Sequence, residues 1–235
     1  MQNKRLEMKK AKGSIMLLLA AFFWGTTFVA QTTASDQIGT FTFNGSRSIV
    51  GAAFLALLIL ARTGMKKQKA KVSGEPVEKE SIKRTVIGGI LCGCVLFFAT
   101  NLQQSGIAAY PEGVASSGRS GFLTATYVVM VAIVSGLLGK KLHKIVYVAV
   151  FVCLGGMYML CRSGGIDNLY FGDLLGLLCA VCFTGHILTV DHFNDCDSVK
   201  ISCIQFITNG VLSLICMAIF EQPAWSDLAA AWFPI

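Results

Sequence analysis

Long apolar stretches, separated by short charged segments, dominate the pattern of residues along this chain. A helix needs about 20 apolar residues to cross roughly 30 Å of hydrocarbon, because each residue adds about 1.5 Å. Seven stretches approach or reach that length, and they are numbered spans 1 to 7. They cover Ser14 to Thr33, Gln37 to Ala61, and the segments between Arg84 and Glu112, Glu112 and Lys140, Lys144 and Arg162, Asp173 and Asp191, and Lys200 and Glu221. The pattern predicts an all-α integral membrane protein with about seven transmembrane helices.

A related pattern recurs 159 residues later in the chain, where the segment from Gly13 to Trp24 aligns with the segment from Gly172 to Phe183. Five spans separate the two copies, so the second copy enters the membrane from the opposite side. A repeat with an odd number of spans has inverted topology, which is common in secondary transporters. We therefore expect a first repeat at 14–161, after a basic N-terminal segment at 1–13, and an incomplete second repeat at 172–235.

Composition supports a membrane location. The 235 residues are 54% hydrophobic and only 14% charged, whereas a soluble domain has about 25% charged residues. The net charge of +7 would suggest a nucleic-acid partner in a soluble protein. Here the lysines and arginines fall between the apolar runs, so they indicate topology, and no nucleic-acid partner is expected.

Basic residues collect on one predicted side of the membrane. The N-terminus carries five of them between Lys4 and Lys12, the link from Arg62 to Arg84 carries eight, and three more lie between Lys140 and Lys144. The opposite side has only Arg162. Because cytoplasmic loops are enriched in lysine and arginine, the N-terminus is predicted to be cytoplasmic. The composition of 62–84 predicts a solvated, flexible cytoplasmic loop.

The nine cysteines lie mostly inside apolar runs, where a thiol packs as a small hydrophobe. Cys179 and Cys182 form a C-x-x-C pattern, but it lies in an apolar helix and lacks a second ligand pair. The aspartates between Asp191 and Asp197 are interpreted as an acidic loop rather than a metal site. No cofactor or metal is expected.

Several segments together resemble one known family. Leu19-Ala-Ala-Phe-Phe-Trp-Gly-Thr-Thr-Phe-Val-Ala30 is similar to its first-helix motif, and Asn44 to Arg47 followed by an apolar run resembles its second helix. The segment Ala115-Ser-Ser-Gly-Arg-Ser-Gly to Val129 resembles the fourth helix, and Gly139-Lys-Lys-Leu with Leu154-Gly-Gly-Met resembles the link into the fifth and its end. The family is the drug/metabolite transporter superfamily, of EamA type.

The resemblance implies a ten-helix fold made of two five-helix inverted repeats, so about three further helices are expected after the last span. It also implies a transporter of small organic molecules, such as a metabolite, amino-acid or drug exporter, in a bacterial inner membrane. Expected partners are a small-molecule substrate and the lipid bilayer, and a homodimer stays open. The charged link from Arg62 to Arg84 is longer than is usual in the family.

Polar and ionisable side chains within a span are costly and are therefore functional candidates. Trp24, Arg47, Asn101 and Arg119 come from four different spans and fall at a similar predicted depth. We hypothesise a polar layer that binds an anionic or zwitterionic substrate, because a planar guanidinium binds both oxygens of a carboxylate. Alternatively, the arginines bond to backbone carbonyls or pair with acidic residues at Glu112 or Asp36.

Four further candidates have the same ambiguity between a cavity-lining and a packing role: Tyr127, His186, Gln205 and Asn209. His186 also titrates near neutral pH and would suit proton coupling. No aspartate or glutamate lies deep within a span, so no carboxylate proton relay is expected. The spans contain no convincing set of catalytic groups, and an enzyme is not expected. The other classes left open are a seven-helix receptor or retinal-type protein and a non-functional transporter fragment.

Overall fold

The computed structural model describes residues 2–73, 81–140, 144–163 and 170–223, and every regular element in these ranges is an α-helix. The helices are α1 (Gln2–Ser35), α2 (Thr40–Ser73), α3 (Ile82–Ala108), α4 (Ser116–Ala125), α5 (Tyr127–Leu137), α6 (Lys144–Ser163), α7 (Phe171–His192) and α8 (Ser198–Phe220). Only Thr126 separates α4 from α5, and its backbone angles are still helical. These two helices therefore form one span, Ser116–Leu137.

Six of the predicted spans are long and apolar enough to cross a membrane. The remaining one, span 5, is α6, whose shorter apolar part is Lys144–Gly156. Large apolar side chains cover the outside of the bundle, for example Leu17, Phe54 and Phe151, which are 73%, 68% and 74% exposed. In water such a surface would be costly, whereas in a bilayer it meets lipid tails. The prediction of an all-α integral membrane protein is confirmed.

The centre of the bundle is formed by α2, α3, α7 and α8. Helix α8 packs along both α2 and α3, and α7 packs along α3 and along α4 and α5. Helix α1 lies against α3 and α4, and α6 lies at the edge against α4 and α5. Helices α7 and α8, which follow residues 164–169, therefore pack into the same bundle as the helices that precede this segment.

Two glycines allow α3 to approach α7 and α8 closely. A Cβ atom on Gly93 of α3 would lie 2.5 Å from Thr208 Cβ and 2.8 Å from the Gln205 carbonyl oxygen of α8. A Cβ atom on Gly172 of α7 would lie 2.6 Å from the Gly106 carbonyl oxygen of α3. Real side chains do not come this near, so glycine at these positions lets α3 contact α7 and α8 directly.

Polar contacts tie the helices together at both ends of the bundle. At the end called here the Asp195 end, Arg84 of α3 pairs with Asp195 at 2.9 Å, and Lys140 pairs with Asp191. At the opposite end, called the Glu221 end, the Glu221 carboxylate accepts hydrogen bonds from the Phe41 and Thr42 amides at 2.8 and 2.7 Å. These amides have no partner within α2, because a helix leaves its first N–H groups unpaired. Glu221 therefore caps α2 from the end of α8.

The expectation of a flexible loop over 62–84 needs correction. Helix α2 continues to Ser73 and α3 begins at Ile82, so at least half of this link is helical; residues 74–80 lie outside the described residues. Lysine, alanine, glutamine and methionine, which make up all of 65–71, are good helix formers. Their helix propensity extends α2 beyond the apolar run, although their charge keeps the extension out of hydrocarbon.

Candidate functional site

Arg47 is an arginine within an apolar span, and the described parts of the chain place no carboxylate beside it. It is half-buried on α2, its guanidinium lies 5.1 Å from the centre of the Phe43 ring, and an Nη atom donates to Asn44 Oδ1 at 3.4 Å. In the ranges that the structure describes, no aspartate or glutamate lies within ion-pair distance of it. A guanidinium stays protonated even when partly buried. Among the described residues, Arg47 therefore brings a positive charge into the bundle that no carboxylate compensates.

A network of buried amides and hydroxyls holds the residues next to Arg47. Asn44 Nδ2 donates to Asn101 Oδ1 at 3.1 Å and to the Thr100 carbonyl oxygen at 3.1 Å. Asn101 Nδ2 in turn donates to Ser213 Oγ at 3.3 Å, and Asn209 Nδ2 donates to Ser48 Oγ at 2.9 Å. Buried polar groups need such partners, because an unpaired one is costly. The sequence candidates Asn101 and Asn209 thus join α2, α3 and α8, and Asn101 holds the Asn44 side chain, which in turn bonds Arg47.

Arg119 differs from Arg47, because it is fully paired. Its Nε and Nη2 atoms contact Asp173 Oδ1 and Oδ2 at 2.6 and 2.7 Å, and both side chains are buried. Tyr110 Oη also donates to Asp173 Oδ1 at 2.7 Å, and the Arg119 guanidinium lies 5.0 Å from the centre of the Tyr170 ring. Burial and the neighbouring Asp173 carboxylate raise the pKa of Tyr110, so its phenol remains a donor.

This pair bears on one alternative left open by the sequence. Arg119 pairs with Asp173, not with Glu112 or Asp36, and Asp173, which only marked the boundary of span 6 in the sequence, is a buried carboxylate within α7. The Tyr170 amide also donates to Asp173 Oδ2 at 3.0 Å. The cluster joins α4, the α3–α4 link and the start of α7 at the Glu221 end. Its charges cancel, so it is a structural clamp in this conformation.

Trp24 and Tyr127 belong to an aromatic cluster with Phe183. The ring centres lie 5.6 Å apart between Trp24 and Tyr127, 5.8 Å between Trp24 and Phe183, and 6.0 Å between Tyr127 and Phe183. Beside the cluster, a cavity of about 500 Å³ lies between α1 and the α4–α5 span. Gly25 and Gly118 line it, and a Cβ atom on either would meet nothing within 4 Å. The cavity is apolar apart from Thr124 and the ends of Trp24 and Tyr127.

His186 and Gln205 meet across the α7–α8 interface, where His186 Nε2 lies 3.0 Å from Gln205 Oε1. Both side chains are 9% exposed. They form one wall of a second cavity of about 500 Å³, which extends to the α7–α8 turn. We call this space the α7–α8 cavity.

The sequence candidates therefore form separate groups rather than one polar layer. Arg47, Asn101 and Asn209 share the amide network, Trp24 and Tyr127 share the aromatic cluster, and His186 pairs with Gln205. Arg119 is joined to Asp173 away from all of them. Sequence reasoning missed Asp173, Asn44 and Ser48 as partners, along with three buried glutamines, Gln31, Gln103 and Gln104. Sequence analysis could have found the glutamines from the presence of amide side chains within otherwise apolar spans.

The acidic residues of the α7–α8 turn have structural partners. Asp191 and Asp195 form the ion pairs at the Asp195 end, and Asp197 Oδ1 accepts from the Val199 amide at 3.0 Å at the start of α8. Within the described parts of the chain, no three histidine, cysteine or acidic side chains are grouped to hold a metal ion.

Comparison with known proteins agrees with the helical architecture. Residues 11–162 match the EamA-like transporter family. An uncharacterized transporter from Archaeoglobus fulgidus is 26% identical over 188 residues, which are 80% of this chain and 51% of the relative. The chain thus spans about half the length of the curated relative that it matches. No solved structure matches it significantly. The family match covers more than half of the chain, from α1 nearly to the end of α6, and this multi-pass membrane chain belongs to the EamA-like transporter family.

Proposed function

We propose that the protein is a secondary transporter of small organic molecules that carry a carboxylate, such as metabolites, amino acids or acidic drugs, and that Arg47 binds this carboxylate. The observation that carries the proposal is the uncompensated guanidinium of Arg47 beside the amide network. Arg119, a second intramembrane arginine, already has a carboxylate partner, and Arg47 has none in the described ranges.

The surroundings of Arg47 suit a ligand that arrives and leaves. An arginine offers five N–H donors, and the described residues supply one acceptor, Asn44 Oδ1. A substrate carboxylate would take up the remaining donors in pairs, which is the strongest arrangement that guanidinium makes. Removing both charges from water costs free energy, so the net affinity stays modest and release is fast. The amide network would hold Asn44, and through it Arg47, in one orientation.

We further propose that transport proceeds by alternating access between two inverted repeats. Two contacts support an approximate two-fold axis in the membrane plane. Trp24 and Phe183 occupy equivalent positions in the repeated sequence pattern, and their rings lie 5.8 Å apart. Residues equivalent by a two-fold axis touch only near that axis.

Helices α2 and α8, the second helices of the two proposed repeats, run antiparallel along each other. Ala52 contacts Cys203, Ser48 contacts Asn209, and Gly45 contacts Leu214. Rocking of one repeat against the other about such an axis is the usual motion of inverted-repeat transporters. The charge bias supports a cytoplasmic N-terminus, so we place the Asp195 end on the cytoplasmic side of a bacterial inner membrane. We also propose export as the direction, as the resemblance to exporters of the superfamily implies.

The test is a transport screen with the 235-residue chain in proteoliposomes. The vesicles are loaded with an equimolar mixture of the twenty protein amino acids, succinate, citrate, choline and spermidine, and the external medium is analysed by mass spectrometry. The proposal predicts that one or more carboxylate-bearing compounds leave faster than from protein-free vesicles. Release of the cations alone, or of no compound, would contradict it.

A further inference from the structure

The α7–α8 cavity connects a buried imidazole with the Asp195 end. Its lining includes Asp191, Asn194 and Ser198, which are exposed, and it extends inward to the buried side chains of His186 and Gln205. Its volume of about 500 Å³ is many times that of a water molecule, whose share of liquid volume is about 30 Å³. Water at this end of the bundle therefore has access to His186, although the ring lies within a span.

The contact with Gln205 leaves one ring atom of His186 for protonation. Gln205 Oε1 is a carbonyl oxygen and only accepts hydrogen bonds, so His186 Nε2 carries the hydrogen in the bond of 3.0 Å. In the neutral imidazole, Nδ1 then has no hydrogen and holds the lone pair. A proton that binds His186 therefore binds at Nδ1, and the bond to Gln205 is kept in both charge states.

The other ionisable groups buried in the described spans do not suit reversible protonation near neutral pH. Arg47 stays charged, and Arg119 and Asp173 compensate each other. Thiols and phenols ordinarily titrate well above neutrality. An imidazole ordinarily titrates near pH 6.5. His186 is thus the buried group of the described spans whose ordinary chemistry matches a proton taken up and released in each transport cycle.

No charged group in the described parts of the chain forms an ion pair with His186. Its own helix presents the Phe183 ring, whose centre is 6.5 Å away. Charged groups lie nearer the cavity mouth: Asp191 with Lys140, Asp195 with Arg84, Asp197 and Lys200. The other titratable side chains of α7 and of its neighbours α3, α4, α5 and α8 are Lys83, Cys92, Cys94, Arg119, Tyr127, Asp173, Cys179, Cys182, His192, Cys203 and Cys216. In the described parts of the chain, none of these is hydrogen-bonded or ion-paired to His186.

We propose that His186 Nδ1 is the proton-binding site of this transporter and that the coupled ion is the proton, exchanged through the α7–α8 cavity. The proposal rests on the transport function proposed above. In the uptake step a hydronium ion in the cavity transfers its proton to Nδ1, which leaves water and an imidazolium. In the release step the proton returns to water. The cycle thus adds and removes one positive charge opposite Gln205.

The binding site is tested without transport. The chain has three histidines, His143, His186 and His192, so the His143→Gln variant, labelled at histidine with ¹⁵N and reconstituted in nanodiscs, keeps two labelled rings, each with an Nδ1 and an Nε2 signal. His192→Gln assigns them. We expect His186 to titrate between about pH 5 and 8 and to carry its hydrogen on Nε2 when neutral. Gln205→Leu should abolish this tautomer preference. Failure of His186 to titrate in this range, or a hydrogen on Nδ1, would overturn the proposal.

Coupling is tested in the proteoliposomes described above, with pyranine inside to report pH. In the unmodified chain, efflux of the carboxylate compounds should be accompanied by proton movement, whereas His186→Gln should lose the proton movement. His192→Gln, at the exposed end of the same helix, should retain it. Efflux without proton movement in the unmodified chain would overturn the inference and leave the transport function intact. If no compound leaves, the transport function fails, and the titration alone decides whether His186 binds the proton.

Discussion

Removing the charge of Asp173 should destabilise the protein far more than the same change at Asp195. The Arg119–Asp173 pair has side chains that are 10% and 7% exposed, whereas those of Arg84 and Asp195 are 45% and 54% exposed. Breaking a buried pair leaves an uncompensated charge and costs about 3–5 kcal/mol. An exposed pair contributes about 0–1 kcal/mol. Because asparagine keeps an acceptor for Arg119, we expect Asp173→Asn to cost about 3 kcal/mol and Asp195→Asn less than about 1 kcal/mol.

The assay is unfolding by SDS in mixed micelles, followed by far-ultraviolet circular dichroism for the unmodified chain and both variants. A double variant, Arg119→Gln with Asp173→Asn, measured together with the single Arg119→Gln variant, sharpens the test because it removes both charges. It should be more stable than the sum of the single changes predicts, since no buried charge is left alone. Equal losses for the two aspartate variants, or strictly additive losses in the cycle, would refute the assignment of a buried compensated pair.

Three further predictions concern helix packing, a helix cap and the Tyr110 phenol, and each is measured by the same unfolding assay. Gly93→Ala should cost about 1–3 kcal/mol because its Cβ would overlap α8, whereas Gly155→Ala, which meets nothing within 4 Å, should not destabilise. Glu221→Ala should cost about 1–2 kcal/mol through loss of the α2 cap, and exposed Glu112→Ala less than about 0.5 kcal/mol; similar losses would contradict the cap. Because the pKa of Tyr110 is raised in the folded protein, its phenol contributes fully to the free energy of unfolding below the ordinary phenol pKa, and this contribution falls at higher pH. Stability should therefore drop above about pH 10 in the unmodified chain and drop less in Tyr110→Phe. An unchanged alkaline profile in that variant would contradict this assignment.

The spans were predictable because membrane thickness fixes the length of an apolar run, and charged residues mark where each run ends. Helix α2 shows where this reasoning stops. Hydropathy marks the end of its membrane part near Ala61, but the helix continues to Ser73. Beyond the bilayer, helix propensity and not burial decides the backbone. A membrane span and its helix can end at different residues, and the hydropathy pattern predicts only where the span ends.

The site was predictable as a set of residue types but not as an arrangement. Arg47 and Arg119 look alike in sequence, since each is a single arginine in an apolar span. Their difference depends on Asp173, which is 54 residues from Arg119 along the chain and lies at the boundary of its own span. Whether a carboxylate at such a boundary is solvated or buried is decided by the close contact of α3 with α7 at Gly106 and Gly172. That contact is tertiary, so no local pattern reveals it.

The central claim is that the positive charge of Arg47 binds the substrate, and charge variants on one helix test it most directly. Efflux of the compounds found in the screen is compared among the unmodified chain, Arg47→Lys, Arg47→Gln and Arg62→Gln, an exposed arginine on the same helix. We predict that Arg47→Gln loses about tenfold or more in rate at low substrate concentration, as expected for loss of about 1.4 kcal/mol or more of charge-assisted hydrogen bonding. Arg47→Lys should retain part of the rate and Arg62→Gln nearly all of it. Normal efflux in both Arg47 variants would contradict the account.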